Sequence, residues 1–272
     1  MTNRFSYNSF ARSPWYGCSP NLPATIAAVG LAGFDDIGID MVSLGAWLTA
    51  GGTLAEVQGA LRSARIGCQV LAACALLDGG DAALDALGHA ASAAHLLGAR
   101  FLQVNIAASD ARARRDAVAA ACRRIAGAGL VLALEYMPFS PLATLAETLD
   151  IVAAVGSDRA GALVDIWHHS HDPQGWDTLQ SAPLDAIAYV EFDDALPPLG
   201  SDLLTETMDR RTFPGEGVLD TTRFARLLRQ RGYTGMVSVE VLNREWLARP
   251  LDEFAARCLT ASRRCWMASD PA

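Results

Sequence analysis

Residues 129–156 read GLVLALEYMPFSPLATLAETLDIVAAVG and contain one complete strand-then-helix unit. After Gly129, the apolar run Val131–Tyr136 has the length of a buried strand, and Leu142–Val155 has the apolar spacing of an amphipathic helix. A buried strand followed by a helix is typical of a parallel sheet, because parallel neighbours must be joined by a crossover. The stretch therefore predicts one β/α unit.

The same pattern recurs until the chain holds eight such units. The predicted strands are Phe5–Ser9, Asp36–Asp40, Gly67–Ala72, Phe101–Asn105, Val131–Tyr136, Ala162–Ile166, Ile187–Phe192 and Met236–Val241. The predicted helices are Leu22–Ala32, Leu54–Arg65, Ala82–Leu97, Ala111–Ala128, Leu142–Val155, Pro173–Ser181, Thr221–Arg231 and Trp246–Trp266. Glycines that should end a helix before a strand, often in left-handed backbone, are Gly33, Gly67, Gly98, Gly129 and Gly232. Even repeats without a break in composition predict a closed (β/α)8 TIM barrel, a single domain over residues 1–272, in preference to an open doubly wound sheet.

The composition excludes several kinds of chemistry. All 22 basic residues are Arg, and the absence of Lys excludes Schiff-base, pyridoxal phosphate, P-loop and protein-kinase mechanisms. The net charge of −8 argues against a nucleic-acid partner, which would need a basic surface. No apolar stretch has the length of a membrane span, and the N-terminal residues lack a signal-peptide core. We therefore expect a cytoplasmic protein without membrane contact, its 6 Cys reduced.

Four successive predicted strands end with a carboxylate. These residues are Glu135, Asp165, Glu191 and Glu240. The C-terminal strand ends of a TIM barrel form its active site, so the four side chains should lie close together. Each one alone could be an ordinary strand-end ion pair, but burying all four together would be too costly without a cation. Oxygen ligands favour a hard ion, so the sequence predicts one Mn²⁺ or Mg²⁺, with Co²⁺ and Zn²⁺ as alternatives.

A histidine segment follows the sixth strand. His168 stands three residues after Asp165, where a neutral imidazole could donate to a substrate oxygen or move a proton. His169 and His171 lie in the same segment, and any of the three could instead be an exposed loop residue.

Two arginines precede a rigid turn after the seventh strand. Arg210 and Arg211 could bind a substrate carboxylate or phosphate, and we expect at least one of them to pair with a nearby acidic residue instead. The turn is Pro214–Gly217, in which proline and two glycines fix the backbone. Three residues at or beyond the C-terminal end of the first strand are weaker candidates for the pocket wall: Asn8, Trp15 and Tyr16.

The chain resembles the xylose isomerase-like TIM-barrel superfamily, the sugar phosphate isomerase/epimerase group, over essentially its whole length. The most specific segments are the Glu135 strand, Asp165–His168, Pro214–Gly217, and Glu240 after Gly232–Gly235. In this family the four strand ends bind one divalent metal, which implies that role for the four carboxylates. The resemblance also implies that His168 contacts substrate and that Arg210 or Arg211 does so too.

The sequence departs from the family pattern in two places. The seventh-strand ligand is most often His and sometimes Gln, whereas Glu191 stands here and brings one more negative charge. The Gln variant is familiar from the 3-dehydroshikimate dehydratase branch, which has an acidic residue two places on, as at Asp193. Xylose isomerases proper also use a lysine near the metal, which this chain lacks.

The resemblance implies proton abstraction next to a carbonyl through a metal-stabilised enediolate. We expect an isomerase or epimerase acting on a small polyhydroxylated carbonyl compound, with Glu135 and Glu240 as acid and base and His168 assisting. The alternative is a metal-dependent dehydratase of the 3-dehydroshikimate or inosose type. An abasic-site endonuclease would need three metals, more histidines and a basic groove, and a degenerate barrel would bind no divalent ion. The expected partner is a small molecule, and a homo-oligomer is left open.

Overall fold

A computed structural model describes residues 3–268 of the chain. Its barrel strands, β1 to β8 in chain order, are Phe5–Asn8, Asp36–Asp40, Gly67–Ala72, Phe101–Ile106, Val131–Glu135, Ala160–Asp165, Ile187–Glu191 and Val237–Val239. All neighbours are parallel, and the pairings of β1 with β8 and β3 with β4 close the ring. The protein is a single-domain (β/α)8 TIM barrel, as the sequence predicts. The outermost residues of the predicted span, 1–2 and 269–272, lie outside the described residues.

The helices surround the barrel. In chain order, α1 to α11 are Leu22–Ala32, Met41–Thr49, Leu54–Ala64, Asp81–Leu97, Ala111–Arg124, Leu145–Val155, Ile166–His169, Gly175–Ser181, Leu203–Asp209, Thr221–Gln230 and Leu251–Met267. The sequence reading missed α2, α7 and α9, which lie in the connections after β2, β6 and β7. Each is capped by an aspartate whose carboxylate accepts backbone N–H, namely Asp40, Asp165 and Asp202. That capping signal was present in the sequence.

Several predicted boundaries were wrong by a few residues. The sixth helix begins at Leu145 rather than Leu142, because Thr144 caps it. The last helix begins at Leu251 after Pro250, and the residues before it form a separate 3₁₀ turn, Arg244–Ala248. β8 ends at Val239, so Glu240 lies just beyond the strand rather than within it.

One predicted helix stop was also wrong. Gly33, Gly98, Gly129 and Gly232 have positive φ as expected, but before β3 the left-handed residue is Arg65, with φ of 57°. Gly67 is needed for a different reason: a Cβ there would lie 2.3 Å from Oδ1 of Asp36 on the neighbouring strand. The glycine therefore permits close approach of β3 to β2.

Strand alternation determines what lies inside the barrel. A cluster of mainly apolar side chains fills the barrel interior before the C-terminal ends of the strands. Its members are Val70, Ala72, Phe101, Ala133, Leu163, Tyr189 and Met236. Because side chains alternate along a strand, the residue two places after each of these points to the same interior. Two places on from Ala133, Leu163 and Tyr189 stand Glu135, Asp165 and Glu191. The carboxylates therefore form the next layer above an apolar floor.

Within residues 3–268, no helix has both the length and the apolar character needed to cross a bilayer. The cysteines at positions 18, 68, 74, 122, 258 and 265 are free thiols, and all except Cys18 are buried.

Two helical glycines give a matched test of the packing. A Cβ at Gly30 in α1 would lie 2.8 Å from Cβ of Ala64 and 3.1 Å from its carbonyl oxygen, whereas a Cβ at Gly45 in α2 meets nothing within 4 Å. Gly30→Ala should lower the free energy of unfolding by about 1–3 kcal/mol through overpacking. Gly45→Ala should raise it by up to about 1 kcal/mol, because alanine favours the helix. Urea unfolding measures both values, and an equal effect of the two substitutions would contradict this packing.

Candidate metal centre

The strand-end carboxylates converge at the C-terminal end of the barrel. Oxygen atoms of Asp165, Glu191 and Glu240 lie within 4.8 Å of one another. Ligand atoms of Glu135, Asp165 and His168 form a second group of the same dimensions. Because Asp165 belongs to both groups, the four carboxylates form one cluster, called here the carboxylate cluster.

Asn8, at the end of β1, joins two members of this cluster. Its Nδ2 donates to Oε1 of Glu191 at 2.9 Å and to Oε1 of Glu240 at 2.8 Å. Ser238 on β8 donates to the same Glu191 oxygen at 3.1 Å. These donors hold Oε1 of each glutamate, and Oε2 of Glu240 lies 3.3 Å from Nη1 of Arg211.

The sequence reading missed two amides that hold Glu135. Gln103 and Asn105 on β4 each donate a side-chain N–H to Oε2 of Glu135 at 2.7 Å. The other oxygen, Oε1, lies 3.5 Å from Nε2 of His168. A signal for both amides was present, since they are polar residues at alternate positions in the apolar run FLQVNI, residues 101–106. Such positions face the barrel interior.

Arg211 is buried against the cluster. Its Nη1 lies 2.6 Å from Oδ2 of Asp165 and 3.3 Å from Oε2 of Glu240, and it also donates to Oδ2 of Asp193. Its Nη2 donates to Oγ1 of Thr207 at 2.8 Å. The surrounding carboxylates raise the pKa of Arg211 well above its ordinary value despite the cost of burial, so the guanidinium stays charged.

Several buried carboxylates lie close together at this end of the barrel, and burial and mutual repulsion shift their pKa values. Burial raises the pKa of Glu191 well above its ordinary value, and repulsion from Glu135 and Asp165 raises it further. Burial likewise raises the pKa of Glu240, with Glu191 adding to the shift. Burial also opposes ionisation of Asp165, but the attraction of Arg211 outweighs it and holds the pKa of Asp165 below its ordinary value.

A cavity of about 190 Å³ opens above the carboxylate cluster. Its polar lining consists of Asn8, Gln103, Asn105, Glu135, His168, Glu191, Thr207, Arg211 and Glu240. Its apolar side chains include Phe10, Met137, Phe139, Leu204, Met208 and Leu242. The cavity thus brings together three of the four predicted metal ligands with His168 and Arg211, while Asp165 lies directly behind Arg211.

Three predicted substrate contacts are not part of this lining. Arg210 donates from Nε to Oε2 of Glu206 at 2.9 Å. Trp15 is 66% exposed, and the hydroxyl of Tyr16 donates to the carbonyl of Met208 at 2.7 Å. Both aromatic rings pack near Phe10, with ring centroids 6.4 and 5.9 Å away respectively. They therefore support the cavity wall from behind instead of facing its interior.

The neighbouring histidines have other surroundings. His169 is buried, and its Nδ1 lies 2.9 Å from the hydroxyl of Tyr136. Burial lowers the pKa of His169 to about 4, so this ring is neutral. Nδ1 of His171 lies 2.9 Å from the carbonyl oxygen of Trp167. Of the three histidines in this segment, His168 is the one that lines the cavity.

The rigid turn is held by an aspartate that the sequence reading did not single out. Asp194 accepts backbone N–H groups of Gly215, Gly217 and Leu219 at 3.0, 2.9 and 2.9 Å. Glu216, within the turn, forms an ion pair with Arg257 at 2.7 Å. The turn therefore orders the chain after Arg211 and does not line the cavity.

The donor set fits a hard divalent cation. The carboxylate cluster and Asp193 together contain five carboxyl groups, and Arg211 contacts three of these: Asp165, Asp193 and Glu240. All the candidate ligand atoms are carboxylate oxygens apart from the His168 nitrogen, a set that suits Mg²⁺ or Mn²⁺. A cation among them would also relieve the repulsion that raises the pKa of Glu191 and Glu240.

A substitution at Glu191 tests this crowding in metal-free protein. Its pKa is raised in the fold, so its neutral form stabilises the protein below the unfolded pKa of about 4.3, and that stability is lost as the pH rises through the folded pKa. Glu191→Gln should therefore make the fall in unfolding free energy between about pH 5 and pH 8 shallower. The exposed Glu245→Gln is the control and should leave the slope unchanged. If the unfolding free energy of wild type and of Glu191→Gln changed equally with pH, the raised pKa of Glu191 would be contradicted.

Two curated proteins share part of this sequence. An inosose isomerase of Halalkalibacterium halodurans is 30% identical over 128 residues, which cover 46% of this chain and 44% of that protein. A 3-dehydroshikimate dehydratase of Pseudomonas putida is 28% identical over 113 residues, 42% of this chain and 18% of that protein. Each match therefore covers less than half of this chain and less than half of the curated relative.

The fold and a family model extend the likeness to the whole barrel. The crystal structure of the IOLI protein with a bound zinc atom has a TM-score of 0.87 at 17% identity and covers 99% of this chain and 100% of its own. At that identity the likeness shows a shared fold. The model of the family described as xylose isomerase-like TIM barrel matches residues 26–261. The chain therefore belongs to the xylose isomerase-like TIM-barrel family.

Proposed function

We propose that this protein is a divalent-metal-dependent isomerase or epimerase of a small polyhydroxylated carbonyl compound. The observation that carries the proposal is the carboxylate cluster at the floor of a cavity of about 190 Å³. The inosose isomerase relative supports an isomerase, although only part of each chain is matched.

The cation would be held by Glu135, Asp165, Glu191 and Glu240. Oxygen ligands favour Mn²⁺ or Mg²⁺, and the bound zinc atom of the IOLI protein keeps Zn²⁺ as an alternative. Such an ion supplies a Lewis acid that polarises carbonyl and hydroxyl oxygens.

Glu135 and Glu240 are the proposed proton carriers. They stand at the ends of β5 and β8, which are separated in the ring by β6 and β7, and both line the cavity. Glu240 lines the cavity, and Asn8 holds its Oε1 at 2.8 Å, so its carboxylate is fixed where a substrate proton can reach it. The two amides on Oε2 of Glu135 leave its Oε1 available for a substrate proton.

His168 is the proposed substrate contact, and Arg211 is proposed to act on the bound substrate through its charge. His168 lines the cavity with its Nε2 3.5 Å from Glu135, so it can donate to a substrate oxygen beside that carboxylate. Arg211 lies 3.4 Å from the same nitrogen and holds a fixed positive charge beneath it. A charge fixed in advance stabilises the negative charge that develops on an oxygen during proton removal.

A dehydratase is the second candidate, because a 3-dehydroshikimate dehydratase is among the relatives. It would use the same proton abstraction, followed by loss of a hydroxyl from the next carbon. The products separate the two functions, since a dehydratase yields a conjugated enone that absorbs in the near ultraviolet.

Chelator-treated protein should gain activity when Mn²⁺ or Mg²⁺ is restored. In D₂O, a ketose or inosose substrate should exchange the hydrogen next to its carbonyl, which NMR detects without knowledge of the final product. Absence of exchange and of new product with every ketose, inosose and dehydroshikimate tried, with either metal, would contradict the proposal.

Glu240→Gln should lower the exchange rate by about 10²–10⁴-fold, because it removes a group that carries the proton. The exposed Glu245→Gln should retain the wild-type rate. Circular dichroism checks that both variants are folded. Wild-type turnover and wild-type metal content in Glu240→Gln would remove Glu240 from the mechanism.

A further inference from the structure

We infer that the cavity takes an uncharged substrate, a polyhydroxylated ketone or aldehyde that carries neither phosphate nor carboxylate. The inference rests on the proposed function and narrows its substrate class. It depends on which groups the arginine side chains around the cavity already contact.

Arg211 is the one arginine that lines the cavity within residues 3–268, and its donors are already engaged. They reach Asp165, Asp193, Thr207 and Glu240. A substrate anion would have to displace a buried carboxylate from this guanidinium. That displacement would leave the carboxylate buried without its partner, which is strongly unfavourable.

Two other arginines, Arg210 and Arg244, already form ion pairs with protein carboxylates. Arg210 bonds Glu206 at 2.9 Å and the carbonyl oxygen of Pro197 at 2.7 Å. Arg244 forms an ion pair with Asp209 at 3.0 Å. Since the chain contains no Lys, no ammonium group can take their place.

The floor of the cavity repels anions. Five carboxyl groups, the carboxylate cluster and Asp193, lie there with one guanidinium, which contacts three of them: Asp165, Asp193 and Glu240. A divalent cation would bring the positive charges to three, two from the ion and one from Arg211, still fewer than the five carboxyl groups when these are ionised. Substrate hydroxyl groups suit the same floor, because they donate hydrogen bonds to carboxylate oxygens.

The apolar part of the wall offers no site for an anion. It is formed by Phe10, Met137, Phe139, Leu204, Met208 and Leu242. A phosphate or carboxylate held against these side chains would lose hydration without gaining a hydrogen bond, which is costly. The amides of Asn8, Gln103 and Asn105 are donors, but they already donate to the carboxylate cluster.

Matched ligands test the inference on the Mn²⁺-loaded protein. One pair is D-fructose and D-fructose 6-phosphate, and the other is a neutral inosose and 3-dehydroshikimate, which carries a carboxylate. Calorimetry should give the neutral member of each pair an affinity at least about tenfold higher. Equal or tighter binding of the phosphate or the carboxylate would overturn the inference.

A guanidinium added at the rim of the cavity should weaken the preference for the neutral ligand. Leu204 lines the cavity and is 57% exposed, so Leu204→Arg places a guanidinium at its rim without burying it. This variant should improve the affinity for D-fructose 6-phosphate relative to D-fructose by about tenfold. Leu199→Arg is the control, since Leu199 is 80% exposed in the same segment and outside the cavity lining. An equal gain in both variants would contradict the role of the cavity charge.

The outcomes separate this inference from the function on which it rests. Metal-dependent turnover of an anionic substrate, with neutral ones ignored, would overturn the inference and leave the function standing. Failure of all four ligands to bind or react would contradict the proposed function, and the inference with it.

Discussion

The site depends on one electrostatic constraint, the burial of several carboxylates around a single guanidinium. Asp165 keeps a depressed pKa because Arg211 lies 2.6 Å away, whereas burial and mutual repulsion raise the pKa of Glu191 and Glu240. Buried like charges destabilise a fold unless a counter-charge joins them. Arg211 supplies part of that charge, and a bound divalent cation would supply more. Stability and metal binding are therefore linked through the same residues.

The barrel makes this arrangement possible by simple geometry. Strand alternation places Glu135, Asp165 and Glu191 one layer above a mainly apolar floor, and the closed ring brings β5 to β8 together, with Glu240 just beyond the end of β8. Side-chain amides on β1 and β4 hold one oxygen of each glutamate in the cluster. Asn8 bonds Glu191 and Glu240, and Gln103 and Asn105 bond Glu135. These hydrogen bonds orient the glutamate oxygens, while an ion would share Oδ2 of Asp165 and Oε2 of Glu240 with Arg211.

The sequence predicted the barrel and the candidate ligands because both rest on local signals. Apolar runs of strand length, each followed by an amphipathic segment, identify the repeats, and a carboxylate at a strand end stands out against its apolar neighbours. The partners of Arg211 could not be predicted in this way, since its bonds to Asp165 and Asp193 join residues 46 and 18 positions apart. Trp15 is adjacent to the first strand in sequence, yet it packs behind Phe10 and outside the cavity. Side-chain direction in a loop depends on tertiary packing that a local pattern does not contain.

The most direct test is the anomalous diffraction of a crystal of the protein soaked in Mn²⁺. One strong anomalous peak should lie within about 2.1 Å of oxygens from Glu135, Asp165, Glu191 and Glu240. The peak should be absent from crystals of Glu240→Gln soaked in the same way, because the substitution removes one of the proposed ligands. A wild-type crystal with no peak at the strand ends, or with Mn²⁺ bound only elsewhere, would contradict a metal centre at the carboxylate cluster.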